Sequence, residues 1–239
     1  VPHRKQPMNT NFGPFRRLLA VGGVAFAGAI ALTGCGILDA ASDDSEGTDV
    51  SGEQFDAAAD AAAGDCLPYE VLSDDASTFA IDCSGEDAFW TITSITADPG
   101  LTATGGDLTD TQAVYDACGE ENGAFIPGQP WTDWNMIYDQ TTGNVDYLFC
   151  IEAIDKPNAE GKTPVTPNTG DCMSSSDVEW FTLDCADAAA DTTVTEAIAF
   201  DAADWAAPDV DSAIASCPGS YYEVTDLAGV RTTAVLCVE

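Results

Sequence analysis

Nine cysteines are the residues best equipped for chemistry in this 239-residue chain. A thiolate can take up a lipid, bind a metal or attack a carbonyl, and two thiols can oxidise to a disulfide. Other chemistry is poorly supplied. The single histidine is His3, whereas the Ser-His-acid and Cys-His arrangements both need a base that titrates near neutrality. Lys156 and Lys162 sit together in a proline-bearing stretch. Paired carboxylates of the glycosidase kind can be drawn almost anywhere among 41 acidic residues, so no pair stands out. The cysteine spacings contain no CxxC, and no acid run has the order of a calcium loop. The expectation is a non-enzyme with no metal site and no cofactor.

An odd cysteine count leaves one thiol without an intrachain partner. Cys35 ends "LTGC", directly after the 15-residue apolar run Leu18–Leu32, itself preceded by Arg16-Arg17. That run is too short for a hydrocarbon core, which needs about 20 apolar residues, and it matches the apolar region of a signal peptide. The four-residue motif resembles the bacterial lipobox, whose cysteine is acylated and becomes the new N-terminus. Cys35 is therefore the expected lipidation site, residues 1–34 the lipoprotein signal peptide, and Met8 an alternative start to Val1. A thioether-linked diacylglycerol supplies the two acyl chains that stable anchoring takes.

The other eight cysteines fall into two sets of four. "GDC" to Cys66, "IDC" to Cys83, "YDAC" to Cys118 and "YLFC" to Cys150 recur as "GDC" to Cys172, "LDC" to Cys185, "IASC" to Cys217 and "VLC" to Cys237. Four landmarks in the same order mark an internal duplication. The expected pairs are Cys66–Cys83 and Cys118–Cys150, then Cys172–Cys185 and Cys217–Cys237. The first of each set closes two neighbouring strands, and the second ties a helix end to the last strand. A loop of about 15 residues closed in this way contributes roughly 3 kcal/mol, which matters for small domains with modest cores.

The elements that must hold these cysteines follow from local pattern. "TFAIDC" and "WFTLDC" are short β-rich runs, and "FWTITSIT" and "TTVTEAIAF" alternate as half-buried strands do. Short helices end at Cys118 and Cys217, the first with capping-box spacing from Thr109 to Gln112. A hairpin and closing strand complete each copy. The fold class is α+β: two tandem small disulfide-stapled modules, each an antiparallel sheet with one short helix. Module 1 spans 64–152 and module 2 spans 170–239. Residues 35–63 are small and acidic and are expected as a flexible tether. Residues 153–169, with three prolines, are expected as the linker.

Beyond Gly34 the chain holds 41 acidic residues against Lys156, Lys162 and Arg231, a net charge of −38. Such a field repels nucleic acid and anionic headgroups, so no nucleic-acid partner is expected, and contact with a membrane is expected only through the lipid. The dense aromatic stretch "GQPWTDWNMIYD" makes Trp131, Trp134 and Tyr138 the candidate binding surface, although such residues also fill cores.

The cysteine-centred landmarks at 64–152 and 170–239, together with the lipobox, resemble the LppU-like cell-envelope lipoproteins of actinobacteria, a group loosely related to septum-formation-domain proteins. "CSGEDAFWTIT" fits the pattern after the second cysteine, and "CADAAADTTVT" fits it more loosely. The resemblance implies an extracytoplasmic lipoprotein on the outer face of the plasma membrane and carries no catalytic residues. The resulting expectation is a non-catalytic binding or scaffold role towards an envelope protein or wall component. The alternative is a solute- or cation-binding lipoprotein associated with a transporter. A cleft between the modules with converging aromatic and polar groups favours the alternative, and two separate beads favour the scaffold.

Overall fold

The computed structural model describes residues 58–69, 80–104, 107–139, 141–176 and 179–239, with the backbone of 19–21 and 49–50. Cys35, Met8 and most of the expected signal and tether lie outside the described residues. The backbone of Leu19–Val21 (β1), inside the segment expected to be removed, and of Asp49–Val50 (β2) continues the first sheet through parallel pairing.

Module 1 is built on Cys66–Pro68 (β3), Ala88–Ala97 (β4), Thr132–Asp139 (β7) and Val145–Ala153 (β8), hydrogen-bonded in the order β7-β8-β4-β3. The short pair Ala103–Thr104 (β5) and Asp107–Leu108 (β6) precedes the helix Gln112–Cys118 (α1). In the expected capping box, Thr109 was to close the helix start. Its hydroxyl instead bonds Thr102, and the Asp110 carboxylate accepts from Gln112 N at 3.0 Å, so the residue next to it takes the orphan donor.

Module 2 repeats the plan. Cys172–Met173 (β10), Thr192–Ala199 (β12), Ser220–Thr225 (β13) and Thr232–Val238 (β14) run in the order β13-β14-β12-β10, and Val210–Ile214 (α2) is capped by Asp209. The correspondence reaches single atoms. Both long strands bulge at the same place, and the threonine there donates its hydroxyl to the carbonyl of the cysteine opposite: Thr93 to Cys150 at 3.0 Å and Thr195 to Cys237 at 3.1 Å. The glycines of the two "GDC" motifs, Gly64 and Gly170, have φ of +98° and +93° with open space around them. Backbone conformation, not room, is what demands glycine there. Four disulfides close the modules in matching pairs, Cys66–Cys83 with Cys172–Cys185 and Cys118–Cys150 with Cys217–Cys237.

Strand alternation then decides the layers. In β7, Trp134, Met136 and Tyr138 face α1 with Val114 and Leu148, while Ile137 faces the other way. In β14, Val235 and Cys237 lie against α2, while Ala234, Leu236 and Val238 face inward. The inward faces of both sheets merge into one core holding Phe149 and Ile151 from module 1 and Tyr222 and Val224 from module 2. The modules are therefore packed sheet face to sheet face, with a helix on each outer side.

The connecting stretch is itself part of the fold. Lys162–Thr163 (β9) pairs antiparallel with Thr182–Leu183 (β11), extending the second sheet. Pro130 bridges Val165, and the fully buried Thr166 accepts a hydrogen bond on its carbonyl from Gly128 N at 2.7 Å. At the other end, Ala58, inside the span expected as a tether, is buried in the shared core, with Ala61 packed against it.

Candidate ligand cleft

The candidate surface at Trp131, Trp134 and Tyr138 is not a surface: their exposures are 3%, 6% and 8%. Trp134 and Tyr138 lie under α1, while Trp131, the residue just before β7, lies in the seam between modules on the opposite side, as alternation carried back from the strand requires. Trp131 packs against Phe181 of module 2, with ring centroids 4.3 Å apart, and against Phe125 and Phe89 of module 1. Its indole N–H donates to the Trp180 carbonyl at 3.1 Å. These aromatics hold the modules together.

Arg231 anchors a second part of the seam. Its guanidinium pairs with Asp226 at 2.7 Å and donates to the carbonyls of Glu120 (2.7 Å) and Asn122 (3.1 Å) in module 1. It lies 4.3 Å from the ring centre of Tyr115 and 5.1 Å from that of Trp205. Nearby, Leu227 N donates to Gly123 O, and the buried Thr233 hydroxyl donates to Phe125 O.

Between these contacts and the connecting stretch the modules leave a cleft of about 1000 Å³. Three elements build its walls: the turn after Cys83, which carries Glu86 and Asp87; the connecting stretch with Lys156 and Lys162; and the segment entering β11, with Glu179 and Phe181. Tyr69 and Phe89, in edge-to-face contact at 4.6 Å, supply apolar wall. The Tyr69 hydroxyl donates to Glu179 at 3.1 Å, joining module 1 to module 2 across the cleft.

Chain-fold comparisons give no shortcut to this site: no protein family, curated protein or solved structure matches the chain. Its electrostatics must speak for it. Lys156 Nζ donates to Gly85 O at 2.8 Å, so the connecting stretch is tied to the turn after Cys83. Lys162 Nζ lies 3.5 Å from Glu160 and 5.4 Å from the ring centre of Phe181. Hydrogen bonds from Ser84, backbone first and hydroxyl second, hold the Asp82 carboxyl at the rim below its ordinary value. Among the described residues no group of three His, Cys, Asp or Glu is placed to hold a metal ion.

The cleft residues Tyr69, Lys156, Lys162 and Phe181 were not among the candidates drawn from the sequence. A signal for two of them was present. Only three cations follow Gly34, and two fall within seven residues of one another in the stretch expected as linker. In so acidic a chain, a cation pair marks a place where local fields are being balanced.

Proposed function

We propose that this chain is a non-catalytic, exported binding protein, anchored through lipid on Cys35, which holds a small solute in the cleft between its two modules. The observation that carries the proposal is the cleft itself, with aromatic and charged groups from both modules and from the connecting stretch converging on about 1000 Å³. Sites of this size, formed where two units meet and lined by rings and a few polar groups, suit small ligands. A scaffold of two separate beads is less well supported, because the modules share one core and the stretch between them is built into it. Four disulfides suit an oxidising, extracytoplasmic setting. The lipid would hold the bound solute close to the membrane, raising its effective concentration for a transporter there.

The test is native mass spectrometry of the full chain released from its own membranes, beside Ala159→Trp, which places an indole at the cleft wall. A small-molecule adduct on the parent chain that is lost from the variant supports the proposal. An adduct-free parent, or an adduct unaffected by the indole, overturns it. In the same cells, Cys35→Ala is expected to leave the chain unlipidated and released from the membrane.

A further inference from the structure

We propose that Cys83 is a site of thiol–disulfide exchange, where a low-molecular-weight thiol unfastens one wall of the cleft; its effect on a bound solute rests on the cleft being the binding site. Exposure is the first argument. Cys83 is exposed, while its partner Cys66 is only 2% exposed. The same division recurs in module 2, with Cys185 exposed and Cys172 buried. In the other two disulfides Cys150, Cys217 and Cys237 are buried and Cys118 is half-buried. Exchange begins where a thiolate can reach one sulfur, and the other sulfur is the one that leaves. Both leaving sulfurs have a hydroxyl beside them: Thr91 Oγ1 lies 3.8 Å from Cys66 Sγ, and Thr193 Oγ1 lies 3.6 Å from Cys172 Sγ. A hydroxyl in that place donates to the departing thiolate and favours it.

The thiol is the reductant. Its thiolate attacks Cys83 Sγ and forms a mixed disulfide there. The Cys66–Cys83 bond breaks, and its electron pair leaves on Cys66 Sγ, which takes a proton from water. A second thiolate attacks the thiol-derived sulfur of the mixed disulfide, so Cys83 leaves as a thiolate and the two thiols depart as their own disulfide. Two electrons pass to the pair of cysteines.

What the break releases differs between the copies. In module 2 the run leading to Cys185 is β11, which pairs with β10 on one side and β9 on the other. Among the described residues, the corresponding run of module 1 has no third strand. Ile81 makes an isolated bridge to Cys66, its N–H donating to Cys66 O at 2.8 Å. Beyond that bridge, the hydrogen bond that joins the run 81–85 to another element is Lys156 Nζ to Gly85 O, and those at Asp82 and Ala88 are internal to the turn. This turn carries Asp82, Gly85, Glu86 and Asp87 of the cleft wall, so the Cys66–Cys83 staple fixes that wall. Neither Cys185 nor the turn after it lines the cleft, which makes the second copy an internal control.

The experiment exposes the full chain, released from its own membranes, to graded 2-mercaptoethanol, then alkylates the free thiols and maps them by mass spectrometry. Cys66, Cys83, Cys172 and Cys185 are expected to be labelled before the other four disulfide cysteines, with the trapped mercaptoethanol adduct on Cys83 and not on Cys66. Another order, or an adduct on Cys66, overturns the proposal. Amide exchange is then followed on the chain with both exposed disulfides open. Ile81 is expected to exchange at least about ten-fold faster, with Leu183 little changed. Equal effects at both positions, no effect at Ile81, or loss of the whole fold by circular dichroism overturns the local release. Native mass spectrometry of the same sample reads the cleft. A solute adduct lost on reduction and regained on reoxidation, in the parent and in Cys172→Ser/Cys185→Ser alike, supports the proposal, and an adduct that survives reduction overturns it. A parent without an adduct removes the solute-binding role, while the labelling and exchange results still decide the site at Cys83.

Discussion

Replacing Arg231 by Met tests how firmly the two modules are joined. The Asp226 side chain is only 2% exposed and that of Arg231 18%, so solvent screens their 2.7 Å pair weakly. Removing one partner of a buried ion pair costs about 3–5 kcal/mol, because the other charge is left uncompensated. Asp226 keeps two backbone donors, Val230 N at 2.9 Å and Arg231 N at 3.2 Å, which points to the lower end. The carbonyls of Glu120 and Asn122 lose charged donors as well. The expected loss is therefore about 3 kcal/mol, read from urea unfolding followed by tryptophan fluorescence. Adding Asp226→Asn removes the stranded charge, and the double variant should recover at least about half of that loss, since such pairs have small net worth. Amide exchange at Leu227, whose N–H bonds Gly123 O across the seam, should speed up in the single variant. A single-variant cost under about 1 kcal/mol, or a double variant no better than the single, refutes the assignment of Arg231 as the clamp between modules.

Trp131→Ala removes the ring that touches Phe89, Phe125 and Phe181 and the donor to Trp180 O. It is expected to cost about 3–5 kcal/mol in denaturant unfolding, with Trp131→Phe recovering part of it. Two carboxyls should shift with pH in opposite senses. Burial, then the charges of Asp139 and Asp98, raise Asp146 above its ordinary 3.8. That raised value favours the fold in acid, and the benefit is lost as pH climbs through it, so Asp146→Asn should be stabilising at neutral pH but not in strong acid. Asp191 is lowered, chiefly by the Ser175 backbone N–H and hydroxyl. Its contribution is present above 3.8 and lost as pH falls through the folded value, and Ser175→Ala should move its NMR titration upward.

The α+β class and the staples were legible because cysteines leave a pattern that outlasts the drift of other residues. Strand alternation in "FWTITSIT" and in "TTVTEAIAF" was equally plain, since Ile92 and Val194 are buried in the shared core while Thr93 and Glu196 are exposed. What the face on the other side meets is a different question. Local pattern says that Phe149, Ile151, Tyr222 and Val224 are buried, but not that they are buried against each other. The aromatics at 131, 134 and 138 looked like one cluster because they are close along the chain. Alternation separates the first from the other two, and that parity was available in the sequence. The prolines at 157, 164 and 167 signalled a break in regular structure, yet a strand as short as Lys162–Thr163 leaves no periodic trace. The cleft could not be read for the same reason: it exists only through the placement of one copy on the other.

Two copies of one unit meeting through equivalent faces is also the arrangement of a homodimer, but here both lie in one chain and need not be alike. Trp131 belongs to the first copy and Arg231 to the second, the strand at Lys162 comes from the stretch that joins them, and all three lie along the junction or the cleft. A symmetric pair of identical chains would have to present every such feature twice. A single chain can use one side to hold itself together and leave the other as an open cleft.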